Sequence, residues 1–322
     1  MEVCQVCKGQ LTEPHAVAVV PLYKSVDHIP HVLRYVETLS NSIPGGIDLC
    51  FVSDGSPDDS VGRLRDLARQ SKIRISLLEL SRNFGAGPAV HAGLSSVQHC
   101  VSVVFGSDLQ EPEELFTEFA QRILSGSAEI CLGQRVSRDD PFLQNFFARA
   151  YWWINRNIFG DKSPKGGFDV FGLSRKAREA LVSLAELNTS LTSQLQWIGF
   201  DQAVVPYARR VRLSGESTWT FRRKLKLFAD SVYGFSGIPI AGLFFAGFLG
   251  FCLVAAVSLM TLVGWIMGWM EVKGYVTIVL MLGFSQALNL IGFGILGGYV
   301  YRTFDNSKRR PKYVITSSQT LN

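Results

Sequence analysis

No charged side chain stands between Ser231 and Met270, and after Glu271 and Lys273 none stands between Gly274 and Tyr301. Runs this long and this apolar exclude an entirely water-soluble chain. A helix crosses the hydrocarbon layer with roughly 20 apolar residues, so each run holds one crossing and the pair reads as a membrane hairpin. The segment from Met1 to Gln10 lacks any apolar stretch, which argues against a signal peptide and keeps the soluble part inside the cell. Cysteine is sparse: Cys4, Cys7, Cys50, Cys100, Cys131 and Cys252 are scattered, and no second pair joins the C-x-x-C of Cys4 and Cys7, although His15 lies nearby. A four-ligand zinc site is therefore not expected, and free thiols in a reducing compartment are. Internal repeats and low-complexity stretches are also absent, which excludes a repeat array.

What is present divides in two. The 322 residues accommodate one soluble domain of about 200 to 230 residues and the hairpin. The net charge of +5 is unevenly placed: Arg222, Arg223, Lys224 and Lys226 precede the first apolar run, and Arg302, Lys308, Arg309, Arg310 and Lys312 follow the second. Basic residues accumulate on the cytoplasmic side, so both termini are expected there, with the turn around Trp269 to Lys273 outside. Clusters set against apolar spans suit anionic lipid headgroups, and no nucleic-acid partner is expected.

Within the soluble part, Val17 to Pro21, Leu49 to Val52, Arg74 to Leu80, Val101 to Phe105 and Glu129 to Leu132 read as short buried strands. Helical patterns at His28 to Leu39, Asp59 to Gln70, Gly87 to Ser96 and Glu113 to Leu124 alternate with them. That order predicts an α/β domain with a mostly parallel sheet covered on both faces. In such sheets ligands bind beyond the carboxyl ends of the strands. Asp54-Gly55-Ser56, Ser81 to Gly85 and Gly106 to Gln110 stand at those ends. Singly, each such loop also reads as a turn or a helix cap. From Pro141 to Asn157, aromatic residues and Arg138, Arg149 and Arg156 suit either an amphipathic helix at the membrane interface or a core-facing helix.

Together the segments VVPLY, FVSDGS, LSRNFGAG, GSDLQEPEEL, GQR, GGFDVFGLSR, RLSGES and FSGIPI, in this order and followed by a two-crossing tail, are more specific. The chain resembles the membrane-anchored polyisoprenyl-phosphate glycosyltransferases of the GT-A fold, over about residues 15 to 305. The resemblance implies a Rossmann-like GT-A catalytic domain at 15–212 after an N-terminal tail at 1–14. A basic amphipathic juxtamembrane segment at 213–235, two transmembrane helices at 236–303 and a cytoplasmic tail at 304–322 follow. It implies an integral membrane protein of the bacterial inner membrane, and a homo-oligomer. The implied reaction moves a hexose, with inversion, from a nucleotide-sugar, UDP-sugars being favoured, to a polyisoprenyl phosphate such as undecaprenyl phosphate.

By similarity, Pro21, Tyr23 and Asp54 would hold the nucleoside. Gly106, Ser107, Arg135 and Arg212 would lie along the donor, and Asp108 and Gln110 would bind Mg²⁺ or Mn²⁺. Arg149 would face the acceptor phosphate, and Asp169 would stand on the acceptor side. The chain also departs from the family pattern: Lys24-Ser25 replace Asn-Glu, Ser53 and Gly106 replace acids, and Thr218 replaces a lysine. One fewer acidic ligand weakens a hard-cation site unless donor phosphates and water complete it. Two alternatives stay open: a weakened or redirected member that serves as a lipid-phosphate-binding scaffold, and a transferase to a hydroxyl acceptor.

Overall fold

The computed structural model describes residues 16–136, 167–184, 186, 189–210, 238–269 and 274–322. The chain divides into two compact units, one holding the sheet and residues 311–322, the other holding the two apolar helices.

In the first unit the apolar runs form β1 (Ala16–Leu22), β2 (Ile47–Ser53), β3 (Ile75–Leu80), β4 (Val101–Val104) and β5 (Ile130–Arg135). The alternating helices are α1 (Ile29–Ser42), α2 (Ser60–Ala68), α3 (Ala86–Ser96) and α4 (Glu113–Leu124). Beyond them come β6 (Val170–Ser174), α5 (Arg175–Ser183), α6 (Leu191–Trp197), β7 (Gln202–Tyr207) and β8 (Ile315–Thr320). The sheet order is β7-β5-β6-β4-β1-β2-β3-β8. β1 pairs in parallel with β2 and β4, β2 with β3, and β5 with β7, while β6 and β8 run antiparallel to their neighbours. The expected mostly parallel α/β sheet is therefore present.

Both faces are buried, which is why β1 and β2 read as unbroken apolar runs. Ala16, Ala18, Val20 and Leu22 of β1 join one cluster with Val32, Val36 and Leu39 of α1 and Phe116 and Phe119 of α4. Val17 and Val19 join the other, with Ala89, Ala92 and Leu94 of α3 and Leu181 of α5. Helix α1 buries Ile29, Val32, Leu33, Val36 and Leu39, the spacing of a one-sided helix. Helix α4 places Glu113 and Glu114 in its first turn and Arg122 in its last, charges that complement the helix dipole. The Tyr35, Phe105 and Phe116 rings pack with centroids 4.8 to 6.4 Å apart, and each such buried ring contributes roughly 1.5–3 kcal/mol. The Tyr35 hydroxyl donates to the Glu111 carbonyl at 3.0 Å, fixing the loop after β4 to this core.

Two expectations need correction. The C-terminal segment expected as a tail supplies edge strand β8 on β3, because backbone pairing to an open edge needs no apolar side chains. Cys100 is disulfide-bonded, whereas Cys50, Cys131 and Cys252 are free, so the expectation of free thiols fails at Cys100.

In the second unit, α7 (Ile238–Ile266) and α8 (Tyr275–Ser307) are long and apolar enough to cross a membrane. They pack where Gly250 faces Leu288 and Gly292 faces Leu243. Of the glycine pair at 294 and 298 that suggests a packing face in the sequence, Gly294 faces open space. Asn289 lines the groove between the helices with Leu243 and Gly292, and both Asn289 and Gln286 are exposed.

Candidate active site

The loops flagged in the sequence meet at one edge of the sheet, beyond the carboxyl ends of β1 to β5 and β7 and at the start of β6. One half of this edge is built from the exits of β1, β2 and β3. Asp54 is buried, and its carboxylate accepts the Phe84 and Gly85 N–H groups at 2.7 and 2.8 Å. It therefore ties the Ser81–Gly85 loop to the β2 exit with two charge-assisted bonds. Gly55 makes this approach possible. Its φ is +59°, and a Cβ there would lie 2.5 Å from the Arg82 carbonyl carbon, too close for any other residue. Pro21 lies near the end of β1 and Tyr23 just beyond it, with the tyrosine 39% exposed. The Lys24 N–H donates to Ser56 Oγ at 2.8 Å. Ser25 Oγ lies 3.0 Å from Ser107 Oγ, which joins the β1 exit to the β4 exit.

The other half is charged. Asp108 folds back toward Gly106, where an added Cβ would meet Asp108 Oδ1 at 2.8 Å. The space an acidic side chain at this position would need is thus partly taken by the carboxylate of Asp108. Gln110 is buried: its Oε1 accepts from Arg209, its Nε2 donates to the Arg210 carbonyl at 3.3 Å, and its own carbonyl accepts the Arg210 N–H at 2.7 Å. Its amide holds the segment leaving β7. Arg209 Nη2 lies 3.9 Å from Asp108 Oδ2. Arg135, at the end of β5, is ion-paired with Asp169, just ahead of β6.

Glu111 is buried, and among the described residues its Oε2 has no hydrogen-bond partner. Burial first, then the charges of Asp108 and Asp169, push its carboxyl up to about 7, against the opposing pull of Arg209. Burial, with Asp169 and Glu111 beside it, pushes the Tyr207 hydroxyl up to about 12 while Arg135 pulls it down. These shifts place Asp108, Glu111, Asp169, Arg135, Tyr207 and Arg209 in one electrostatic cluster.

Of the residues singled out in the sequence, Pro21, Tyr23, Asp54, Gly106, Ser107, Asp108, Gln110, Arg135 and Asp169 all stand at this edge. Arg149 and Arg212 lie outside the described residues, as does the whole aromatic segment from Pro141 to Asn157. Glu111, Tyr207 and Arg209 were not singled out. Glu111 follows Gln110 directly in a polar loop, where nothing in the sequence separates it from Glu113 and Glu114. Among the described residues no three His, Cys, Asp or Glu side chains form a cation cage. The donor set suits a cation held by the Asp108 carboxylate and completed by phosphate oxygens and water, the weakened arrangement that Gly106 leads one to expect.

The profile of Glycosyl transferase family 2 matches residues 17–178. CsbB of Bacillus subtilis, which bears the name putative glycosyltransferase, is 30% identical over 94% of this chain and 92% of its own. The bactoprenol glucosyl transferase of Shigella phage SfV is 29% identical over 94% of this chain and 98% of its own. Among solved structures, glucosyl-3-phosphoglycerate synthase from Mycobacterium tuberculosis, in complex with Mn²⁺, UDP-glucose and phosphoglyceric acid, shares the fold. Its TM-score is 0.50 at 16% identity, over 72% of this chain and 83% of that one.

Proposed function

The chain belongs to glycosyl transferase family 2 and is a glycosyltransferase, and from that premise we propose that it transfers a hexose from a nucleotide-sugar to the phosphate of a polyprenyl lipid at a membrane surface. The observation that carries this reading is the extent of the likeness to the bactoprenol glucosyl transferase. It covers 94% of this chain and so includes both apolar helices as well as the sheet. UDP-hexoses are the favoured donors and undecaprenyl phosphate the favoured acceptor.

In this reaction an oxygen of the lipid phosphate attacks the anomeric carbon from the face opposite the donor diphosphate. The bond from that carbon to the diphosphate breaks, its electron pair leaves with the nucleoside diphosphate, and the configuration inverts. The acceptor phosphate is already anionic at neutral pH, so no side chain has to remove a proton from it. Charge grows on the leaving group, and arginines fixed beside it stabilise the transition state more than the ground state. Arg135, oriented by Asp169, and Arg209, oriented by Gln110, suit that role. A divalent cation supplies further neutralisation of the diphosphate when bound, and Asp108 would hold it. Pro21, Tyr23 and the Asp54-braced loop are read as the nucleoside side, Gly106 and Ser107 as the floor beneath the diphosphate. Arg149 and Arg212 are read as acceptor-phosphate and donor-phosphate contacts. Asp169 aligns the reacting groups.

The membrane reading has two supports. Two helices of sufficient length and hydropathy stand between β7 and β8, strands of the same sheet. An even number of crossings returns the chain to the side it left, and the basic flanks support the cytoplasm as that side. Homo-oligomerisation is proposed from the family resemblance alone.

The test is transfer of radiolabelled sugar from a panel of UDP- and GDP-sugars to undecaprenyl phosphate in detergent, with Mg²⁺, Mn²⁺ or EDTA. Label entering the organic phase from one donor supports the reading and names the sugar. A donor that binds without yielding lipid product contradicts it and favours a scaffold or a hydroxyl acceptor.

A further inference from the structure

Strand β8 is an unusual addition to the sheet. Its side chains, Ile315 to Thr320, are almost all exposed, so it adds little apolar burial and its interactions are chiefly with the backbone of β3. It pairs antiparallel from Ser76–Thr320 to Leu80–Ile315, with a register shift between Glu79 and Leu80. The pairing is reinforced at both ends. At the start of β3, Asn322 Oδ1 accepts the Ile75 N–H at 2.8 Å, and its Nδ2 donates to the Ser71 and Ile73 carbonyls at 3.2 and 2.7 Å. At the far end, Thr316 Oγ1 donates to the Glu79 carbonyl at 3.0 Å, and the Ser81 N–H donates to the Val314 carbonyl at 2.9 Å. The segment is also anchored to α3 and to the end of α5. Tyr313 Oη lies 2.7 Å from Ser95 Oγ, the Tyr313 ring packs 5.8 Å from the His91 ring, and Lys312 Nζ donates to the Leu184 carbonyl at 2.5 Å.

Ser81 opens the loop whose Phe84 and Gly85 N–H groups are held by Asp54. The loop is therefore fixed from two directions, by Asp54 on the β2 side and by Val314 on the β8 side. The register shift between Glu79 and Leu80 leaves Thr316 as an extra residue on β8, so β8 bends there, next to the point where the Val314 carbonyl meets the Ser81 N–H. We propose that Lys312–Asn322 is a positioning segment for substrate binding, which holds the Ser81–Gly85 loop in the conformation that receives the nucleotide-sugar. The chain that leaves α8 at Ser307 thus returns to brace the donor side. The proposal rests on the reading of that loop as part of the donor side.

The experiment compares the full chain in detergent with a chain ending at Pro311 and with Asn322→Ala. Amide hydrogen exchange is read without any donor present, donor and acceptor KM and kcat are read in the transfer assay, and a synthetic peptide of residues 311–322 is then added to the shortened chain. An open β3 edge accepts such a strand in trans. Exchange at Ser81, Phe84 and Gly85 is expected to accelerate in the shortened chain. Donor KM should rise roughly three- to tenfold, the cost of ordering a loop at the moment of binding, with kcat and acceptor KM within about twofold. The peptide should restore donor KM. Asn322→Ala should shift donor KM in the same sense by a smaller factor, and it decides the matter if the shortened chain fails to fold. An unchanged donor KM, or a rise that the peptide does not reverse, overturns the proposal. If even the full chain transfers no sugar to lipid, the functional reading fails separately. The exchange data still decide the positioning, since unaltered protection at Phe84 and Gly85 overturns it.

Discussion

Replacing His91 by leucine should flatten the acid limb of the protein's stability. His91 is buried on α3 against Tyr313, with Lys312 close by. Burial first and the Lys312 charge second hold its imidazole down at about 4, against an opposing pull from the Leu184 backbone. An ordinary histidine titrates near 6.5. Between these values the unfolded chain binds a proton that the folded chain refuses, so stability is complete above about pH 6.5 and is lost as pH falls toward 4. The linkage amounts to about 2 kcal/mol at pH 5, and to about 1 kcal/mol once solvent screening at the edge of the cluster is included. For a domain of this size that is a fall in Tm of roughly 2–4 °C between pH 7.5 and pH 5. The assay is thermal unfolding of the full chain in detergent at half-unit steps of pH. His91→Leu keeps a similar volume and carries no proton, so its Tm should lack that share of the acid decline. Parallel curves for the two proteins would refute the assignment and move the acid sensitivity elsewhere.

Other consequences follow from the same geometry. Asp54→Asn removes the charge from two buried backbone bonds; it should destabilise the protein by about 2–3 kcal/mol and raise donor KM, as measured by denaturant unfolding and initial rates. Gly106→Ala sets a methyl 2.8 Å from Asp108 Oδ1; stability should change little, while the Mg²⁺ or Mn²⁺ concentration for half-maximal rate should rise roughly threefold or more as the carboxylate is displaced. Arg135→Ala should lower kcat by roughly 10²–10³, with Arg135→Lys recovering only part of it because the planar fork is lost. Asp169→Asn should retain substantial activity, since an anionic acceptor needs no base; a dead variant would point to an obligate base.

Much of the parallel half of the fold was legible because its strands are buried on both faces and stand out as short apolar runs. The sequence expectation for α4, Glu113 to Leu124, coincides with the helix found. Strand β8 was not legible. Its Ile-Thr-Ser-Ser-Gln-Thr sequence has no apolar alternation, and it is a strand because β3 offers it an open edge, a tertiary cause that local pattern does not carry. At the candidate site, Asp54, Asp108, Arg135 and Asp169 were singled out because they stand at strand ends or in a recognisable motif. Arg209 was one of a run of basic residues, and only the fold sets it against Gln110 and Asp108. Glu111 resembles the helix-starting acids Glu113 and Glu114 until the packing of Tyr35 and the β4 loop shows it buried. Gln110 is the opposite case: the motif suggested a metal ligand, and the structure engages its side-chain amide with Arg209 and Arg210.

In the proposed reaction the lipid phosphate itself attacks the anomeric carbon. Phosphorus and proton NMR of the lipid product made from an α-linked UDP-hexose and undecaprenyl phosphate reads that step. A single phosphodiester resonance is expected, with the sugar joined through its anomeric carbon in the β configuration. A pair of coupled diphosphate resonances, an α-linked product, or sugar found only on a hydroxyl would contradict it.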